Sequence, residues 1–416
     1  MLVENSDIDL LKYTALFQTG LALDKICHTY FMPVADCNFR CRYCFVENSG
    51  RPLPTALMSR EVAEQSLEVF ARLSADSSNV SLTFYGGEPL LNGSVVRHAM
   101  RYVRSLEKRG EFKKHVKMSM VTNGSLIDDA FVDAVSETET SVSVSIDGPR
   151  EIHDASRVNT GGHGTFDWAI AGYEKLRRAG AKPGVSCTLN KFNATRIHEV
   201  VQFIVEELKP QGMGFNVLLP CTGDGNPLDV PQEFVADKLI EAFKVLREHG
   251  IYEDRVMRRV RPFVESRFHF KDCMGVGGQI VITPDGRIGP CQVMLGVPEY
   301  FPLRVSDLHS RLQSISSATI YKHPLFEEWL HRFPLNIRAC TDCFAIGVCG
   351  GGCPYAALTT RGSIWALDDR VCYQAKQIMN WMLWDTYDHF VAEGFAASGD
   401  SAGNSFGSVV GAVPES

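Results

Sequence analysis

Eight residues, Cys37-Asn-Phe-Arg-Cys41-Arg-Tyr-Cys44, hold the densest potential for chemistry in the chain. Their C-x3-C-x2-C spacing lets three thiolates on one short loop face a single cluster. Four-iron clusters normally take four cysteines, so a set of three leaves one iron for something else to complete. Zinc is the rival, but structural zinc prefers four ligands in paired C-x2-4-C arrangements. No Cys or His follows within ten residues of Cys44, and upstream only Cys27 and His28 come near. Iron and sulfur fit the loop better.

Other chemistry-bearing residues recur at the ends of β-like runs. Gly86-Gly87-Glu88-Pro89 follows Val80–Tyr85, Thr122-Asn123-Gly124 follows Val116–Val121, and Ser145-Ile-Asp147-Gly148 closes Ser141–Ile146. Glycine lets a backbone approach a ligand closely. A fixed carboxylate or carbonyl there can accept from an ammonium. The bland alternative for each is a tight turn. With the three-cysteine loop some forty residues upstream of Gly86, the chain resembles the radical S-adenosylmethionine (SAM) superfamily.

That resemblance implies a 4Fe–4S cluster on Cys37, Cys41 and Cys44 whose free iron chelates the amino and carboxylate groups of SAM, with Tyr43 flanking the site. It assigns the SAM amino group to Gly86, Gly87, Glu88 and Pro89. Thr122, Asn123, Ser145 and Asp147 would line the ribose and methionine, and Leu219, beside Pro220, the adenine. Arg157 is the candidate for the SAM carboxylate, since a guanidinium matches a carboxylate fork; an arginine on a solvated surface is the alternative.

The downstream cysteines form a second field: Cys273, Gly286 and Cys291, then Cys340-x2-Cys343-x5-Cys349-x3-Cys353, and Cys372. This string resembles the SPASM domain of peptide-modifying radical SAM enzymes. It implies two auxiliary iron–sulfur clusters, one on Cys340, Cys343, Cys349 and Cys372, the other on Cys273, Cys291 and Cys353. Relatives with a full set place a fourth ligand shortly after the first cysteine, whereas Gly275–Gln279 supplies no thiolate. Either that iron is open or Cys221, on the loop after the last barrel strand, completes it. Cys27 and Cys187 lie in strand patterns and read as core.

The elements that must position these residues alternate. Strand-like runs at Ile26–Pro33, Val80–Phe84, Val116–Val121, Ser141–Ile146, Gly184–Leu189 and Gly214–Leu219 are separated by helical stretches, notably Arg60–Leu73, Leu91–Glu107, Ile127–Val135, Phe166–Ala179 and Ala194–Leu208. Such alternation predicts an α/β fold with a parallel sheet curled into a barrel, its site at the strands' C-terminal ends. The expected architecture is a partial (β/α)6 TIM-like radical SAM barrel followed by a small cysteine-rich SPASM domain. The expected boundaries are an N-terminal helical extension (1–25), barrel (26–230), connector helix (231–262), SPASM region with a hairpin at Gln279–Ile288 (263–375), C-terminal helix (376–395) and flexible tail (396–416). With about twenty-five residues before the first strand, no N-terminal leader-binding module is expected.

At 416 residues the chain can bury a large core. A net charge of −7 without basic runs suggests neither a nucleic acid nor a membrane surface as partner. No signal peptide or membrane span is read, and 13 cysteines cluster by ligand spacing instead of as a secreted disulfide framework. A reducing cytoplasm is expected.

The resemblance implies reductive SAM cleavage to a 5′-deoxyadenosyl radical that abstracts hydrogen from a peptide or protein substrate. An electron donor such as flavodoxin or ferredoxin, and a separate leader-binding protein, are the implied partners. The anaerobic sulfatase-maturating branch, which converts Cys or Ser to formylglycine, has an acidic residue soon after the second SPASM cysteine. Here Gln292-Val293-Met294-Leu295 follows Cys291, and Tyr85 stands where that branch favours Gln. The expected function is therefore a maturase of ribosomally made peptides that forms carbon–carbon, thioether or related crosslinks. The sulfatase-maturating activity is one alternative, and a non-enzymatic SAM and iron–sulfur sensor or electron carrier is another.

Overall fold

Hydrophobic alternation on six consecutive strands dictates the architecture. The computed structural model describes residues 25–46, 50–220 and 228–392. The expected N-terminal helix, Cys221 and the tail lie outside them. The strands are β1 (His28–Phe31), β2 (Val80–Phe84), β3 (Val116–Thr122), β4 (Ser141–Ser145), β5 (Gly184–Leu189) and β6 (Gly212–Val217), and they pair in parallel in chain order. A two-residue β7 (Tyr252–Glu253) joins β6. At the other edge β8 (Gln279–Ile282) pairs in parallel with β1 and continues antiparallel into β9 (Arg287–Gly289) and β10 (Leu303–Arg304). The result is one ten-stranded sheet, an incompletely closed barrel. The hairpin expected to belong to a second domain thus adds to the barrel's own sheet.

Each strand has an apolar face and a small polar one. Leu82, Phe84, Met118, Met120, Val144, Val185 and Phe215 are buried in one core with Leu67, Phe70, Met100 and Phe131 of the surrounding helices. The opposite, inner face presents Tyr30, Ser81, Thr83, Ser119, Ser143, Ser186 and Thr188, all half-buried. Hydrogen bonds stitch this face across strands, between Thr83 and Ser119 at 2.8 Å and from Asn216 to Ser186 at 2.9 Å. A parallel sheet packed on both faces would be apolar throughout. This alternation instead leaves a polar interior.

Local signals explain the helices. Ser59 caps Arg60–Leu73 by accepting from the Val62 N–H at 3.1 Å, with Glu61 in the positive first turn. The predicted Leu91–Glu107 helix begins at Gly93, because Pro89–Asn92 forms a 3-10 turn first. The predicted connector is two helices, Gln232–Glu248 and Asp254–Val264, the second packed on β6. A smaller apolar cluster, including Met32, Val281, Cys291, Met294, Trp329 and Tyr355 with Leu219 against it, joins the barrel to the cysteine-rich region.

Candidate functional site

The cysteine loop leaves the C-terminal end of β1 and is latched by the turn after β2. Glu88 N–H donates to the Asp36 carbonyl at 2.9 Å. A Cβ on Gly86 would stand 2.3 Å from the Val34 carbonyl oxygen, and one on Gly87 2.0 Å from that of Asp36. Only glycine permits this approach. The Glu88 side chain is buried and accepts from Leu90 N–H (3.1 Å), Thr122 hydroxyl (2.7 Å) and Asn123 N–H (2.7 Å). Its carboxylate therefore ties β2 to β3. Asn123 donates to Asn38 at 2.9 Å and approaches the Cys37 sulfur at 3.9 Å, so Thr122 and Asn123 hold the loop from β3.

Asp147, after β4, is fully buried. It accepts from Arg157 Nε (2.8 Å) and Nη2 (3.2 Å), the Tyr43 hydroxyl (2.6 Å) and Thr188 N–H (2.9 Å). The Arg157 guanidinium also lies 5.3 Å from the Tyr43 ring centre. Two nitrogens of the Arg157 fork thus engage Asp147. The pair fixes Tyr43, and with it the loop between Cys41 and Cys44. Ser145 is buried and its hydroxyl makes no hydrogen bond among the described residues. Leu219 lies beyond the end of β6 and packs on the cluster containing Cys291.

Burial pushes the Cys37 and Cys41 thiols up to about 12 each, and the neighbouring loop cysteines add to both. Cys37 also accepts from Phe39 N–H at 3.3 Å. Downstream, the same mutual repulsion sorts the cysteines into two groups. Cys291, raised by burial, feels Cys353 and Cys273; Cys273 is pushed up to about 12 by burial and then Cys353. Cys372, pushed up to about 12 by burial, feels Cys349 and Cys340, and Cys340 feels Cys343. Backbone N–H groups aim at these sulfurs too, as from Gly275 to Cys273 at 3.3 Å. Among the described residues no three Cys, His, Asp or Glu converge on one ion. Each group is instead a spread set of sulfurs with amide donors, which suits a cluster that takes one thiolate per iron. Gly350, Gly351 and Gly352, at φ 74°, 83° and 71°, turn the chain so that Cys349 joins one group and Cys353 the other. Cys187 is core as expected, whereas Cys27 is half-exposed just before β1.

Two residues missed as site members lie between the groups. Tyr30 on β1 and Tyr85 after β2 have ring centres 5.3 Å apart on the inner face. Tyr85, pushed up to about 12 by burial, feels Cys44, then Arg157 and Cys291; Tyr30 feels Tyr85, Cys273, Arg258 and Cys291. Neither hydroxyl has a hydrogen-bond partner among the described residues. Period-two alternation could have placed both on the inner face.

The profile of the Radical SAM superfamily matches residues 32–204. These residues form a radical SAM domain. It implies a SAM-binding 4Fe–4S site and an oxidoreductase-type enzyme, and a cysteine-rich region follows it in the chain. A cysteine-type anaerobic sulfatase-maturating enzyme of Clostridium perfringens is 24% identical over 330 residues, 76% of this chain and 85% of its own. The solved structure of native anSMEcpe with bound AdoMet and Cp18Cys peptide superposes at TM-score 0.72 and 19% identity, over 88% of this chain and 99% of that one. Streptococcus suis SuiB bound to precursor peptide SuiA gives TM-score 0.62 at 16% identity, over 89% and 84%. These likenesses establish the fold of a radical SAM barrel with a cysteine-rich extension. No helix among the described residues is long and apolar enough to cross a membrane.

Proposed function

We propose that the chain uses SAM-derived radical chemistry to modify a residue of a peptide or protein. The observation that carries this reading is the polar inner face, with the Cys37–Cys44 loop after β1 at its C-terminal end and Cys273 and Cys291 beside Gln279 at the start of β8. When bound, the cluster and SAM supply a radical able to abstract hydrogen. The chain's own residues do the rest: Asn123, the Gly86–Pro89 turn and the Asp147–Arg157 pair hold the loop, and the Tyr30 and Tyr85 hydroxyls offer polar contacts for a substrate backbone. Holding reactants in register is itself a large part of such catalysis.

Cys37, Cys41 and Cys44 are read as ligands of the SAM cluster. The group Cys340, Cys343, Cys349 and Cys372 and the group Cys273, Cys291 and Cys353 are read as ligands of two auxiliary clusters, the latter with an open iron. A low-potential donor such as flavodoxin or ferredoxin would supply electrons, and a separate protein would present a leader if the substrate carries one.

Similarity over most of both chains supports the sulfatase-maturating reading, oxidation of Cys or Ser to formylglycine, ahead of crosslinking. One observation favours crosslinking as a second reading. Cys291 is followed by Gln292, Val293, Met294 and Leu295, with no carboxylate base, and the Gln292 side-chain Oε1 accepts from Gln279 Nε2 at 3.4 Å. Anaerobic protein given SAM, dithionite and a Cys-containing sulfatase-derived peptide tests both. Aldehyde capture by a hydrazide supports formylglycine; loss of two hydrogens without aldehyde supports a crosslink. Absence of 5′-deoxyadenosine in every reaction would sink the proposal.

A further inference from the structure

Arg332 follows the short helix Pro324–Leu330 and is fully buried. Among the described residues no carboxylate bonds to it, and its guanidinium donates to backbone carbonyls: Gly351 at 2.9 Å, Gly352 at 3.1 Å, Ala366 at 3.3 Å, and Ile364. Two of those carbonyls belong to the glycine run between Cys349 and Cys353. The nearby carboxylate, Asp368, is engaged by Arg370 at 2.9 and 3.0 Å and by Cys353 N–H at 3.1 Å. A buried cation needs a compensating anion. Burial lowers the Arg332 pKa, and Cys353, Asp368, Cys273 and Cys340 oppose that shift when ionised. Three of these four are cysteines, and they come from both downstream groups.

We propose that Arg332 is the shared counter-charge of the two auxiliary cysteine groups, favouring the reduced form of what each binds. The proposal rests on the reading that these cysteines ligate clusters. A fixed positive charge between two sites stabilises the added electron on either, and couples them, because filling one weakens the attraction left for the other. A plain clamp on four carbonyls would do neither. Charge and clamp separate by substitution: Arg332→Lys keeps the charge and loses the fork, whereas Arg332→Gln keeps amide donors and loses the charge.

The full-length chain, reconstituted anaerobically, is first assayed for iron and sulfide. Content near four irons instead of about twelve would overturn the ligand reading and this proposal with it. Potentiometric titration followed by electron paramagnetic resonance then compares the variants. Arg332→Gln should lower the reduced fraction of both auxiliary signals about tenfold at fixed potential, about 59 mV for one electron. Arg332→Lys should stay near the wild type, and the signal lost on replacing Cys37, Cys41 and Cys44 by Ala should not move. Unchanged auxiliary potentials in Arg332→Gln, or equal shifts in Gln and Lys, refute the charge. If Arg332→Gln assembles no auxiliary cluster, assembly in Arg332→Lys supports the proposal, and equal failure of both assigns the residue to the clamp and overturns it.

Discussion

Replacing Gly87 by Ala tests whether the turn after β2 positions the cysteine loop. The new Cβ would lie 2.0 Å from the Asp36 carbonyl oxygen and 2.5 Å from that of Ala35. Real Cβ contacts essentially never fall below 3.0 Å, and both neighbours are backbone, so the loop must retreat by about 1 Å. That retreat breaks the 2.9 Å bond from Glu88 N–H to Asp36 and moves Cys37, one residue on. Overpacking of this kind costs about 1–3 kcal/mol. A displacement of about 1 Å at a reacting centre costs on the order of 10²-fold in rate. The expected outcome is a folded protein that keeps its auxiliary iron and cleaves SAM about 100-fold more slowly. The assay is 5′-deoxyadenosine formation by chromatography, alongside iron content and thermal unfolding. Gly212→Ala is the control, since its Cβ would meet nothing closer than 3.5 Å. SAM cleavage within a few-fold of wild type in Gly87→Ala, with Asp36 unmoved, would refute the latch.

His153 makes the metal-free protein acid-sensitive. It is fully buried, accepts from Asp147 N–H at 3.4 Å and contacts Thr165 at 3.1 Å, and burial pushes its pKa down to about 3. Between the unfolded value near 6.5 and that folded value the unfolded chain binds the extra proton, so stability falls as pH falls. The loss from pH 6.5 to pH 5 is about 2 kcal/mol. His153→Gln should flatten the pH dependence of denaturant unfolding by that amount, and parallel wild-type and variant curves would count against it. For the tyrosine pair, Tyr85→Phe and Tyr30→Phe should leave all clusters intact but raise the ratio of 5′-deoxyadenosine to modified peptide several-fold. Unchanged coupling in both variants would remove them from the substrate site.

The legible parts of this chain were those where a local rule acts alone. Arg60–Leu73 and Val80–Phe84 were readable to the residue from their periodicity and the Ser59 cap. The three cysteine sets are proposed from resemblance, because ligand spacing survives as a linear string. What the string hid were partners chosen in three dimensions. Arg157 and Asp147 each resemble a ligand-facing residue until folding brings them together. Glu88 looks available in a turn motif, yet its position beneath Thr122 and Asn123 consumes it. Asp254–Val264 was missed because Pro262 and four arginines obscure its apolar stripe. Arg332 gave no signal, since arginine is a surface residue by default. The attachment of β8 to β1 is a long-range pairing between segments about 250 residues apart, which no window of sequence contains.

That attachment acts as a ruler. The Cys37 loop leaves the C-terminal end of β1, while Cys273 and Cys291 flank the N-terminal end of β8, and one four-residue ladder runs between those ends, from His28↔Gln279 to Phe31↔Ile282. At about 3.3 Å per residue its span is about 10 Å between the end positions. Hydrogen-bond register does not stretch, and a slip by one residue would turn Tyr30 out of the interior. A change in that pairing can therefore come only in whole residue steps, each of which would invert or displace the residues that face one another across it, whereas the loops at either end can vary in length and composition.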